Sequence, residues 1–281
     1  IKRLFKNIRM RYTDIYDFII QEEAQYALPI TVIEGWDWNM KDHIRKSLLY
    51  KNSQFTQKND AREGRPFKNI IRPILNLAYR AEDIDVKDIT LYVDDSEKYH
   101  VSFLVKKYFW DVFVKEYDLD TFFDELKEEK TDFGGGLAKK IKGARPIKIP
   151  MQSIVFCDQT DILSNPIGIK HYYSHDELRS MEANGWGNEA NGASATIDDV
   201  VMLSENYKVD DKQNGQQSHT TGKSIEIYEV HGTMPEHFLT GRYEDNGYVT
   251  QIQICCFYQD TQGTKRGITL FKKKEKKVPF K

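Results

Sequence analysis

Apolar residues recur at helical spacings from the start of the chain. Leu4, Phe5, Ile8, Tyr12, Ile15 and Ile19 share one stripe, while Lys2, Arg3, Lys6, Arg9 and Arg11 fall largely off it. Pro29 ends this pattern, and a second helix is predicted from about Trp38 to Tyr50, followed by a polar break from Lys51 to Gly64. Pro73 sits where it suits the first turn of a short helix running from Arg72 to Tyr79. Alternating branched residues predict a strand over Ile89–Val93. The stretch Glu97–Tyr117 reads as a helix with Val101, Leu104, Val105, Tyr108 and Val112 on one face. Phe103, Phe109, Trp110 and Phe113 widen that face almost all the way round. A helix of this kind has to be covered on several sides, by its own domain or by a neighbouring subunit. Packing in the chain's own core is the default reading, and under the alternative Phe103, Phe109, Trp110 and Phe113 are the candidate subunit-packing residues.

The next segments alternate in type. Asp120 is a predicted cap for a helix over Thr121–Lys130, and Gly134-Gly135-Gly136 closes the region. A hairpin is predicted from Leu137–Ile141 and Pro146–Ile149 with Gly143 in its turn, then strands over Ser153–Cys157 and Ile167–Tyr173. Ser174 with Glu177 three residues on forms a capping box that opens a helix reaching Asn184-Gly185. Thr196–Tyr207 reads as helix, Lys208–Thr221 as a polar, mobile loop, and Ile225–Val230, Tyr248–Tyr258 and Gly267–Phe271 as strands. Turns are expected at Asp245-Asn246-Gly247 and Gln262-Gly263. The fold class is α+β: N-terminal helices, a mixed centre with a hairpin, and a mostly antiparallel C-terminal sheet. The linear division is an N-terminal helical segment (1–60), an α+β core (61–207), a polar loop (208–221) and a β-rich part (222–281).

Composition narrows the function classes. With 281 residues, 40% of them hydrophobic, the chain can bury one large core or two smaller ones. A net charge of −2 argues against a dedicated nucleic-acid-binding domain. Charge is unevenly placed, with 15 acids and 7 bases from Glu82 to Lys130, and 8 bases and one acid from Thr264 to Lys281. The lysines Lys272, Lys273, Lys274, Lys276 and Lys277 are the candidate contacts for DNA or a partner, or else a solvated strand end. The basic stripe of Lys2 to Arg11 reads as a nucleic-acid arm or as a helix packed on its own domain. Cys157, Cys255 and Cys256 form no disulfide or zinc pattern and read as small buried residues in a reducing compartment. No apolar run spans a membrane. A chain opening on Ile1 in place of methionine reads as processed or truncated.

Catalytic signatures are weak. Thr220-Thr221-Gly222-Lys223-Ser224 lacks the glycine that a phosphate loop requires at position 217, which is Gln217, and it leads into a strand where such a loop opens a helix. His171 and His175 fall on a strand and a helix start, and His231 and His237 flank a predicted Gly-Thr-Met-Pro turn with no clear partner. Asp158 and Asp161 fit turn caps better than cation ligands. No cofactor, metal site or catalytic constellation is assigned.

One set of segments carries a family likeness: Cys157-Asp158-Gln159-Thr160-Asp161, Ile169–Ser174, Phe133–Lys140, Asp176-Glu177-Leu178 and Arg65–Ile74. Together they resemble the portal (head-to-tail connector) protein of tailed bacteriophages, most closely that of crAss-like phages. The resemblance covers Arg65 to Lys281 and matches the wing region, with stem and clip expected beyond Lys281. It implies a non-enzymatic virion subunit at the capsid's portal vertex, assembled in the host cytoplasm into a ring of about twelve copies. Through that ring double-stranded DNA passes without sequence reading. The implied partners are the chain itself, the major capsid protein, and the terminase and head-tail adaptor through regions absent here. The alternatives are a phage-encoded nucleic-acid-binding accessory protein or a metal-dependent hydrolase.

Overall fold

The computed structural model describes residues 15–52, 70–81, 86–92, 94–163, 166–212, 224–242, 248–261 and 264–281. A first helix, α1, occupies residues 15–26. It is followed by a hairpin of β1 (Ile30–Ile33) and β2 (Trp36–Trp38), then α2 (Met40–Lys51), α3 (Ile71–Ala81), α4 (Tyr99–Tyr108) and α5 (Leu119–Phe133). The centre holds β3 (Leu137–Lys139), β4 (Ile147–Ile149), β5 (Ile154–Phe156), β6 (Ile167–Tyr173), α6 (His175–Ser180) and α7 (Ile197–Lys212). The last third is β7 (Ile225–Pro235), α8 (His237–Thr240), β8 (Tyr248–Thr261) and β9 (Thr264–Lys274). This is the α+β class that the sequence predicts. Residues 1–14, which hold the basic stripe, lie outside the described residues, as do residues 243–247 and 262–263 of the two predicted turns.

Contacts divide the chain into two compact units that do not follow the linear division at 60, 207 and 221. One joins Ile1–Asn39 to Ser153–Val278, and the other joins Met40–Gln152 to Pro279–Lys281.

In the first unit, β5 to β9 pair in sequential order as an antiparallel meander. β6 has the predicted bounds, while β7, β8 and β9 each run longer than predicted. Alternation sorts the side chains onto two faces. Ile225, Ile227, Cys255, Phe257 and Leu270 meet Leu178, Trp186, Ile197, Val200 and Val201 from the α6–α7 region. On the other face, Phe18 of α1 packs edge-on against Phe156 and Phe238, and Tyr16 stacks on Tyr258. The capping box at α6 forms as predicted: Ser174 Oγ accepts from the Glu177 amide, and the Glu177 carboxylate accepts from the Ser174 amide at 2.8 Å. The loop between α6 and α7 shields the outer edge of β9, with Gly187 donating to the Leu270 carbonyl (2.9 Å) and Ser194 to that of Thr269 (2.8 Å).

The second unit is helical, with a small hairpin. β3 and β4 pair antiparallel as predicted, and Ala138 exchanges two backbone hydrogen bonds of 2.9 Å with Lys281, which ties the chain end to β3. Lys51 on α2 reaches Glu128 and Asp132 on α5, and Tyr79 on α3 donates to the same Asp132 carboxylate, so one acid fastens three helices. Val86, Leu119 and Phe122 form the local core, with Phe109, Val114 and Leu126 packed on it.

Four local expectations are corrected. The loop predicted over 208–221 begins later, because α7 continues through Lys212, and 213–221 lie outside the described residues. Residues 89–92 form no strand; they follow a tight turn at Val86–Asp88, and Ile89 packs against the Leu119–Phe122 core, with no ladder partner among the described residues. Val93 lies outside the described residues. Asp120 is not the cap of α5: the helix starts at Leu119 after Asp118, which takes a left-handed φ of 48° and makes no side-chain cap bond. Asp120 falls in the first turn, where its charge suits the helix's positive end. The helix predicted over Glu97–Tyr117 changes type partway. From Phe109 to Glu116 it widens to a π-helix, with the Tyr117 amide bonded to the Val112 carbonyl five residues back at 2.8 Å.

Gly168 pairs directly with Phe156, and a Cβ on it would overlap the Phe156 ring. Gly168→Ala is expected to cost about 1–3 kcal/mol by overpacking. Urea unfolding measures this, and Gly135→Ala, which meets nothing within 4 Å, should leave the midpoint unchanged.

Candidate functional site

The Cys157–Asp161 run turns sharply after β5, and its carboxylates explain how. Asp158 accepts hydrogen bonds from the Thr160 amide (2.7 Å), the Thr160 hydroxyl (2.6 Å) and the Asp161 amide (3.3 Å), and Asp161 accepts from the Leu163 amide (3.2 Å). Both are turn-forming acids. The turn aims Gln159 at the end of α1, where its amide donates to the carbonyls of Tyr26 (3.3 Å) and Leu28 (2.9 Å). Asn39 serves the same two carbonyls at 3.0 and 3.1 Å. A helix C-terminus leaves carbonyls without intrahelical donors, so this pair of amides fixes where α1 stops.

Beside that clamp lies an open cleft of about 200 Å³, lined by Glu22, Tyr26, Cys157, Asp158, Thr160 and Pro166 among others. Burial raises the pKa of Glu22. Burial, with the Asp158 charge, pushes the Cys157 thiol up to about 12. Tyr26 is itself held above its ordinary value, chiefly by burial. The cleft thus presents a protonated thiol at neutral pH, a poor nucleophile. Cys157 is only half-buried, unlike Cys255 and Cys256, which are buried on opposite faces of the sheet. Burial raises the Cys256 thiol to about 12 as well.

The histidines give the largest correction. Gly232 to Pro235 is not a turn: β7 runs unbroken to Pro235 with a bulge between Gly232 and Met234. His231 is fully buried, with Nδ1 2.8 Å from Glu275 and Nε2 2.9 Å from Glu229. His171 Nε2 lies 2.7 Å from the other Glu229 oxygen, and the Gln253 amide donates to Glu229 at 2.6 Å. A signal was present in the sequence. Ile225, Ile227, Glu229 and His231 alternate on one face, which places a Glu and a His on the same inward side as two isoleucines. Burial opposes charge on His231, but hydrogen bonds to Glu229 and Glu275 outweigh it and raise its pKa. Among the described residues no three His, Cys, Asp or Glu side chains are placed to hold a metal ion.

Of the candidate packing aromatics, three gather. Phe109 contacts Trp110 and stacks on Phe113, which also meets Tyr108 and Tyr117 edge-on. Phe109 packs partly on the Leu119–Phe122 core, whereas Trp110 and Phe113 are exposed at 36% and 37%. Phe103 stands apart on α4 and is 68% exposed.

The lysines divide by element. Lys272, Lys273 and Lys274 end β9, an edge strand, where lysines discourage pairing with other chains. The Lys272 stem lies over Gly192, and the Lys273 ammonium sits 5.5 Å above the Phe271 ring. Lys276 and Lys277 follow the strand and are exposed. Of the phosphate-loop-like run, 220–223 lies outside the described residues, and Ser224 leads directly into β7.

Among the described residues no helix is long and apolar enough to cross a membrane. Comparison with protein-family models and with curated proteins finds no match.

The raised Cys157 pKa yields a direct check. At pH 8 the folded chain should react with iodoacetamide roughly a thousandfold more slowly than an ordinary thiol of pKa about 8.5. The rate should climb tenfold per pH unit up to at least pH 10, and unfolding should bring all three thiols to the ordinary rate.

Proposed function

We propose that this chain is a structural, non-enzymatic subunit of a phage portal, in keeping with the resemblance carried by Phe133–Lys140, Cys157–Asp161 and Ile169–Ser174. The supporting observation is the apolar surface that α4 presents to solvent. Tyr99 is 80% exposed, Phe103 68% and Leu104 61%, with Val101, Val105, Tyr108, Trp110 and Phe113 exposed beside them. Large apolar side chains gathered in water to this extent mark a surface that a partner covers. Its occupant in this reading is a second copy of the chain.

The role of the Cys157–Asp161 run agrees with a scaffold. Its acids turn the backbone and its glutamine fixes a helix end, so the segment most characteristic of the chain serves architecture. On this reading the chain sits at the portal vertex of the virion and meets the major capsid protein. It would pass double-stranded DNA without reading it, and meet terminase and adaptor through further regions.

Single-particle imaging with mass determination tests the proposal. A closed ring of about a dozen copies with a central hole is expected. Phe103→Glu combined with Leu104→Glu should reduce it to smaller species while leaving the circular dichroism spectrum unchanged. A monodisperse monomer over the micromolar range would overturn the reading, as would metal-dependent hydrolysis by the purified chain.

A further inference from the structure

Glu229 and Glu275 bracket the ring of His231. Each ring nitrogen of His231 faces a carboxylate oxygen, at 2.9 Å to Glu229 and 2.8 Å to Glu275. An ionised carboxylate only accepts hydrogen bonds, so between two ionised carboxylates both ring nitrogens carry protons. His231 is fully buried, with side chains of 2% and 9% exposure on either side, a setting that favours the imidazolium. A neutral ring would turn a lone pair toward one carboxylate and leave two buried acids without the charge between them.

Which element would yield is decided by the remaining partners. Glu229, on β7, keeps His171 from β6 on its other oxygen (2.7 Å), and His171 is stacked on Tyr173. Glu229 also keeps the Gln253 amide from β8 (2.6 Å), itself 3.8 Å from the Cys255 sulfur. Glu275 keeps Lys273 from β9, 4.0 Å away and half-exposed. The better-held acid is inside the sheet, and the worse-held one follows its last strand. Glu275 is also joined to β8 by its amide, which donates to the Gln251 carbonyl at 2.8 Å.

We infer that the Glu229–His231–Glu275 bridge is a pH-sensitive latch that holds residues 275–278 against the sheet while His231 is charged and releases them when it is neutral. The direction follows from linkage. His231 has a folded pKa above its unfolded value, so the latch contributes fully below about pH 6.5 and is lost as pH rises through the folded pKa. Alkaline conditions therefore open it.

Hydrogen exchange on the whole chain, corrected for the intrinsic effect of pH, reads the latch at the Glu275 amide. Between pH 6.5 and 9.5, protection of the Glu275 amide should fall by about tenfold or more relative to residues 167–173 in β6. Glu275→Gln, which alters the outer and less buried end, should leave that amide exchanging fast at every pH while 167–173 stay protected. Nitrogen NMR of the histidine rings should show both His231 nitrogens protonated at pH 7. The inference is overturned if His231 shows a neutral tautomer at pH 7, or if the Glu275 amide tracks 167–173 at every pH. It is equally overturned if equimolar zinc ion displaces the ring protons, which would make the cluster a metal site.

Discussion

β7 is enclosed on both faces for most of its length, and the arrangement of the first unit follows from that enclosure. Its inward residues on one side meet α6 and α7, and on the other the sheet is covered by α1. Any polar side chain on such a strand loses water and has to find its partners inside the fold. Glu229 and His231 do so by recruiting His171 and Gln253 from neighbouring strands and Glu275 from the segment after β9. The network thus links β6, β7, β8 and the end of β9 on the same face as an apolar core, next to Cys255. An antiparallel meander makes this feasible, because residues far apart in sequence come opposite one another in fixed register.

The second unit is built on a different balance. Its core is small, and much of its cohesion runs through acids: Asp132 joins α2, α3 and α5, and Glu129 accepts the Met151 amide at 3.1 Å with Lys148 beside it. Against that economy, α4 leaves aromatic and branched residues in water around most of its circumference, with Ser102 its buried residue. Apolar area of that extent is costly to keep hydrated. The π-helical stretch after it turns Phe109 and Val114 toward the local core and leaves Trp110 and Phe113 outward, so one helix serves the unit at its end and an external surface along its length.

Much of the local structure was legible in the sequence because its causes are local. Ser174 and Glu177 marked the start of α6, Gly134 the end of α5, and the alternation of Ile167 to Tyr173 an entire strand. The errors share the opposite cause. Ile89 to Val93 has the alternation of a strand, but residues 89–92 have no ladder partner among the described residues and Ile89 was taken up by the Leu119–Phe122 core. Gly232 to Pro235 has the composition of a turn, but pairing with β8 carried the strand through it with a bulge. The hairpin of β1 and β2 was missed because it is short and carries little alternation.

The sequence by itself determined the α+β order, the caps and strand periodicities, and the inward direction of Glu229 and His231, since these depend on residues within a few positions of each other. Tertiary structure alone decided that Glu275, which follows three lysines, turns inward to His231. It also decided that Gln159 reaches the end of α1, and that Phe109 is covered while Phe103 is not. The physical reason is distance along the chain. Glu275 lies 44 residues from His231, and Gln159 lies 131 residues from Leu28. Contacts of that separation exist only once register and packing have brought the strands and helices together.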